Sequence, residues 1–237
     1  MIEKALQYLV SLKKTEVIKV GDSNYSTEPL NYIKPVFDPK PNAQAINIKT
    51  LTGLVDYIKN NVDKITDPMV VHVVSPTKVL AYSELRADMN RDNYISCEAS
   101  TPQITYERFM DIESFNIMLQ ACFLQNEHSA AVLKVVGNIK EDNVQNTSDD
   151  GVSQKVVAKA GIATVAEIVV PNPVILCPFR TFAEVDQPES KFVFRMKTGP
   201  SAAIFEADGG IWKIYAMQNV KAYLAEKLEG CNVKIIS

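Results

Sequence analysis

The residues best suited to chemistry in this chain are carboxylates. Glu206-Ala207-Asp208-Gly209-Gly210 joins a strand-like run to a helix-like one, and Asp149-Asp150-Gly151 closes a polar stretch. On a strand, residues two apart point the same way, so Glu206 and Asp208 can share a face and hold a hard cation. A metal-dependent hydrolase would use them with Asp149 or Asp150, and Lys213 is near in sequence. No spaced motif accompanies these acids. The plainer reading makes Asp208 the cap of the following helix, with Gly209 and Gly210 allowing its sharp start. A Gly-Gly pair before a helix also suits a phosphate, but two carboxylates immediately ahead of it repel an anion.

Histidine and cysteine offer less. His72 lies inside Val70-Val71-His72-Val73-Val74 and reads as a half-buried, hydrogen-bonded core residue. His128 reads as lying near the end of the helix-like run over 115–122, where a cation suits the helix dipole. Without a G-x-S-x-G elbow or a nucleophile beside a histidine motif, a catalytic triad has no support, and two histidines do not build a multi-histidine metal site. Cys97, Cys122, Cys177 and Cys231 are far apart, with no C-x-x-C pair. Each sits in or beside an apolar run and reads as an inert thiol. A P-loop, a G-x-G-x-x-G turn and an RNP-like platform are all missing from the sequence. The reading therefore assigns no catalytic residue, no metal ligand and no cofactor.

The stretch Pro178-Phe179-Arg180-Thr181-Phe182-Ala183-Glu184-Val185-Asp186-Gln187-Pro188-Glu189-Ser190 is dense in prolines, aromatics and charge. It predicts a fixed, irregular crossing in which Arg180 pairs with Glu184 or Glu189 and Gln187 supplies both a donor and an acceptor. Its first role is a structural clamp, and its second a ligand or subunit contact. With the acids on either side, the candidate binding residues are Asp149, Asp150, Gln154, Arg180, Glu184, Gln187, Glu189, Arg195, Asp208 and Trp212.

The elements that must position these residues follow from periodicity. Apolar residues recur at helical spacing over residues 2–10, 51–62 (capped by Thr50 or Asn47), 115–122 (capped by Asp111) and 212–228 (stopped near Gly230). Residues 130–136 fit either a helix or a strand. Strand-like runs fall at 15–20, 69–74, 78–85, 94–99, 152–158, 164–170, 174–177, 191–197, 202–206 and 232–236, with a hairpin turn at Ser75-Pro76-Thr77-Lys78. Four prolines between 21 and 47 argue for extended segments and turns. Residues 137–150 read as a polar loop, and 148–154 as mobile or ligand-gated. The sum is an α+β fold, a mostly antiparallel mixed sheet or sheets with about four helices, forming a single domain over 1–237 with its one candidate sub-domain break at 137–150.

Composition narrows the class. The 237 residues are 46% hydrophobic and 22% charged, which excludes a disordered tail, a collagen-like fibre and a coiled coil. With 25 basic against 28 acidic residues and no basic segment, direct nucleic-acid binding is disfavoured. No apolar stretch approaches the roughly 18 residues of a membrane span, and the N-terminus lacks a signal-peptide pattern, so the expectation is an intracellular protein without a membrane partner.

Three runs then carry a resemblance: DDGVSQ at 149–154, CPFRTFAEVDQPESKFVFRMK at 177–197 and EADGGIWK at 206–213. Together they resemble the YfdQ-like family of phage and prophage proteins, and residues 48–59 and 115–123 are similar to it as well. The family brings no catalytic residues. It implies a phage-encoded, non-virion protein in the bacterial host cytoplasm. The expected function is non-enzymatic binding by a homo-oligomer that engages a host protein or sequesters a small-molecule ligand. A recombination or replication accessory, a metal-dependent hydrolase and a structural shell component are the alternatives.

Overall fold

The computed structural model describes residues 2–12, 16–21, 23–26, 43–87, 89–137, 144–149, 154–160, 163–164, 168–169, 171–197 and 201–237, with 9–12, 23–24 and 144–169 described by backbone alone. The chain divides into two compact units, Met1–Pro41 and Asn42–Ser237. The first holds helix α1 (Ile2–Leu12) and an antiparallel hairpin of β1 (Val17–Val20) and β2 (Ser23–Ser26).

The second unit is built on two five-stranded sheets. One contains β3 (Ile46–Ile48), β4 (Met69–Ser75), β5 (Lys78–Ser83), β6 (Asn93–Glu98) and β16 (Val233–Ile236), in the order β16-β4-β5-β6-β3. Its three central strands are antiparallel, while β16 and β3 pair parallel to β4 and β6. Alternation in β4 and β5 sends Val71, Val73, Val79 and Ala81 inward. Helices α2 (Leu51–Lys59) and α5 (Trp212–Lys227) bury their apolar stripes against that face, Leu51, Leu54 and Ile58 from one and Val220 and Leu224 from the other. Thr50 caps α2 as expected, its hydroxyl accepting from the Gly53 N–H at 3.1 Å.

The second sheet runs β7-β15-β14-β13-β8, all antiparallel, from β7 (Met110–Asp111), β8 (Phe123–Leu124), β13 (Val174–Pro178), β14 (Ser190–Lys197) and β15 (Ser201–Glu206). Helices α3 (Ile112–Ala121) and α4 (Glu127–Gly137) contribute Phe115, Leu119, Val132 and Val136 to its core, against Phe192, Phe194 and Met196 of β14. Asp111 caps α3, accepting from the Ser114 N–H at 2.9 Å. The architecture is α+β with mostly antiparallel strands, and five helices are present among the described residues.

One open reading closes and two local expectations change. Residues 130–136 belong to a helix, α4, and His128 sits in its first turn rather than at the end of the preceding one, because α3 stops at Ala121. There the His128 Nδ1 accepts a hydrogen bond from the Ile175 N–H at 3.3 Å, which requires an unprotonated nitrogen and tethers α4 to β13. Residues 144–149 are not loop. They form β9 (Val144–Asp149), antiparallel to β10 (Gln154–Ala160), which also pairs with β11 (Ala163–Thr164) and β12 (Ile168–Val169). A polar sequence such as Val-Gln-Asn-Thr-Ser-Asp lacks the alternation that flags a strand, and cross-strand pairing overrides its weak propensity. His72 matches its expectation: it is half-buried on β4, with the Tyr82 hydroxyl 3.3 Å from its Nδ1.

Candidate functional site

The β13–β14 connection is a hydrogen-bonded crossing between the two cores. Phe182, 1% exposed, leaves the β14 sheet to pack in the core under α2 and α5. Gln187 fixes the turn from inside. Its Oε1 accepts from the N–H groups of Arg180 (2.9 Å) and Thr181 (3.2 Å), and its Nε2 donates to the carbonyls of Phe182 (2.9 Å) and Val185 (3.1 Å). One buried amide thus satisfies four backbone groups that a buried loop would otherwise strand. The crossing is tied outward as well. The Thr181 hydroxyl donates to the Pro76 carbonyl at the β4–β5 turn, and Asn219 of α5 donates to the Asp186 carbonyl at 2.9 Å. Glu184 accepts from the Thr52 N–H at the start of α2, at 3.2 Å, where the helix dipole favours a carboxylate.

Arg180 is 7% exposed, and its partners are not the acids nearest in sequence. Its Nη1 donates to Glu206 Oε1 at 2.6 Å and its Nη2 donates to the Ser190 hydroxyl. Ser190 in turn donates to Asp208 Oδ2 at 2.7 Å. The expected pairing with Glu184 or Glu189 does not form, because Glu184 is engaged at α2 while β14–β15 pairing carries Glu206 opposite Phe192. The guanidinium carbon lies over the Trp212 ring, 3.9 Å from its centroid, with the Phe192 centroid at 5.7 Å and Tyr106 stacked on Phe192 at 5.7 Å. Burial lowers the Arg180 pKa, with Glu206 and Asp208 pulling the other way. Burial also pushes the Tyr106 phenol up to about 12. The Asp208 carboxyl is held below its usual range despite partial burial, by the Ser190 hydroxyl, the Gly210 N–H and the Arg180 charge.

Asp208 serves the start of α5 from three residues before the N-cap position. Ile211 occupies the N-cap and makes no side-chain cap bond. Asp208 Oδ1 instead accepts from the Gly210 N–H at 2.9 Å, closing a turn in which Gly209 and Gly210 take φ of +64° and +81°. Glu206 and Asp208 do converge, as their spacing suggested, but on the Arg180–Ser190 pair. Among the described residues no three His, Cys, Asp or Glu side chains gather to hold a metal ion.

Against this cluster lies an open pocket of about 460 Å³. Glu189, Ser190, Lys191 and Asp208 line its polar side, and Ile175, Ile211 and Tyr215 form apolar wall. Of the residues singled out from sequence, Glu189 and Asp208 therefore share one cavity, with Arg180 and Trp212 bonded or stacked directly behind it. Gln187 and Glu184 hold the crossing that shapes it. Arg195 stands apart, its Nη1 donating to the Phe194 carbonyl at 2.9 Å. Asp149 and Gln154 are cross-strand partners in the β9–β10 hairpin, and Asp150 lies outside the described residues. A larger cavity of about 610 Å³ beside α3 includes Arg108, Phe109 and Ile117. Its one carboxylate, Asp111, is committed to capping, so its chemistry is less directed than that of the pocket beside Arg180.

Sequence reasoning missed Ser190, Tyr106 and Lys191 as site residues. Ser190 carried a signal: it shares the inward register of β14 with Phe192, Phe194 and Met196, and a hydroxyl on a buried stripe requires a partner. Tyr106 lies on an irregular segment with no periodicity to place it. No protein-family model matches the chain, and no curated protein and no solved structure matches it.

Proposed function

We propose that this chain is a non-enzymatic binding protein, phage-encoded and acting in the bacterial host cytoplasm as a homo-oligomer, whose ligand surface is the pocket between the start of β14 and the start of α5. The observation that carries the reading is that this pocket is backed by a preorganised polar chain, Glu206–Arg180–Ser190–Asp208, stacked on Trp212. Charged groups held in fixed positions by buried partners lose little freedom when a ligand arrives, which favours binding. The same arrangement suits chemistry poorly. Arg180 and the carboxylates around it engage one another, and the Ser190 hydroxyl that donates to Asp208 also accepts from Arg180 Nη2, so its oxygen is held by a cation and is a poor nucleophile. The resemblance of residues 149–154, 177–197 and 206–213 to YfdQ-like proteins supports the phage setting. No helix among the described residues is long and apolar enough to cross a membrane.

Native mass spectrometry of the purified protein tests the reading. The expected result is an oligomer carrying a copurified small molecule or host protein, released when Asp208 is replaced by Asn. A bare monomer whose pocket residues respond to nothing in a bacterial extract would refute it.

A further inference from the structure

Part of the outer edge of β13 is closed by side chains rather than by a strand, and one of them is a histidine. Among the described residues β8 covers that edge only at Cys177 and Pro178, so the backbone of Ile175 has no strand beside it there. Two residues at the start of α4 take the strand's place. Asn126 Nδ2 donates to the Ile175 carbonyl at 3.1 Å, and His128 Nδ1 accepts from the Ile175 N–H at 3.3 Å. Asn126 is held in position for this, since its Oδ1 also accepts from the Ser129 N–H at 2.8 Å. Both exposed backbone groups of the edge are thereby satisfied, which blunts a site that would otherwise pair with another chain.

We propose that His128 is a pH-operated latch: proton uptake by its ring releases the Ile175 N–H and frees an apolar wall of the pocket beside Arg180. A neutral imidazole has one unprotonated nitrogen, which is its only acceptor. The bond from Ile175 assigns that role to Nδ1 and the ring proton to Nε2. An incoming proton must therefore bind at Nδ1, displacing the Ile175 N–H and leaving two donors face to face. The released residue is part of the pocket. Val174 and Leu176 are fully buried in the core, so alternation turns Ile175 the other way, into the pocket lining. Ionisable neighbours on the packed elements do not hold the ring in either state. Glu127 and Lys134 share α4, Lys191 stands opposite Ile175 on β14, and Glu113 lies in the first turn of α3. On β13 the Cys177 thiol donates to the Gln187 carbonyl. Among the described residues none of these groups pairs with the imidazole. The latch stands whether or not the pocket takes a ligand, so it can fail without the binding reading.

Long-range nitrogen–proton spectra of the imidazole, recorded as pH falls beside hydrogen exchange of the Ile175 amide, test the proposal. At neutral pH the ring should show an unprotonated Nδ1 and a protonated Nε2. As it takes up its second proton, the Ile175 amide should lose on the order of tenfold in protection, corrected for intrinsic exchange. The Ile175 methyl resonances should shift with the same midpoint, while circular dichroism stays unchanged. His128→Asn places an amide oxygen where Nδ1 stands and does not titrate, so Ile175 should remain protected throughout. His128→Leu should leave it unprotected at every pH. An Ile175 amide that keeps its protection through the ring titration overturns the latch, as does a ring protonated on Nδ1 at neutral pH. A pH dependence that survives in His128→Asn, or protection lost only with global unfolding, overturns it too. Where neither variant folds, the titration of the parent protein decides.

Discussion

Replacing Arg180 with alanine removes the residue on which the crossing, the β14 edge and the start of α5 converge. Three interactions go together: the ion pair to Glu206, the bond to Ser190 and the stack on Trp212. Glu206 is 37% exposed and rehydrates once released, so that pair is worth only about 1 kcal/mol. The charge-assisted bond to Ser190 adds about 1.5 kcal/mol, and a desolvated guanidinium–indole stack about 2 kcal/mol. Relief of the burial that depresses the Arg180 pKa offsets part of this sum. The net expectation is about 3 kcal/mol, or roughly 6–12 °C in Tm at 2–4 °C per kcal/mol for a domain of this size. Arg180→Lys keeps the charge but loses the planar fork and most of the stack, and should fall about halfway. Thermal unfolding by circular dichroism gives the global value, and tryptophan emission reports the stack itself. A melt within about 2 °C of the parent for Arg180→Ala would mean that the cluster does not hold the fold together.

Other consequences follow from individual groups. Thr50→Ala should lower stability by about 1 kcal/mol, measured by urea unfolding, since it removes the hydroxyl that accepts from Gly53. Asp208 has its pKa depressed in the folded state, so its contribution is present above the unfolded carboxyl range and is lost as pH falls through the lower folded value. Asp208→Asn should therefore flatten the acid limb of a stability–pH profile. Tyr106 behaves oppositely: with its phenol raised to about 12, the folded state holds the proton longer, and stability declines between the ordinary tyrosine pKa of about 10 and that value. Tyr106→Phe should remove that alkaline decline, as followed by circular dichroism. Of the four thiols, Cys231 is partly exposed while Cys97, Cys122 and Cys177 are buried, and burial pushes Cys97 up to about 12. A disulfide reagent should label Cys231 first and the rest only on unfolding.

Much of the fold is legible in the sequence because its strands alternate and helices α2 and α3 carry side-chain caps. Thr50 and Asp111 stand where capping chemistry places them, and β4, β5 and β14 show the period of two that decides which side chains enter the core. What is not legible is long-range pairing. Nothing local says that β16 lies parallel to β4, or that β14–β15 register delivers Glu206, rather than the nearer Glu184 or Glu189, to Arg180. The dense stretch around Arg180 and Gln187 announced a side-chain clamp through its composition. Its partners came from distant elements, Trp212 for Arg180, Pro76 for Thr181 and Thr52, 132 residues away, for Glu184. The β9 strand was hidden for the reverse reason, a polar sequence held by pairing alone.

The most direct test is the indole N–H resonance of Trp212 in a nitrogen–proton correlation spectrum, where the lone tryptophan gives one signal. Its Nε1 is buried behind the pocket and its ring carries the Arg180 guanidinium. The account predicts a signal that exchanges slowly with solvent and shifts when Arg180→Lys removes the guanidinium from the ring. A fast-exchanging indole proton that ignores the substitution would contradict it.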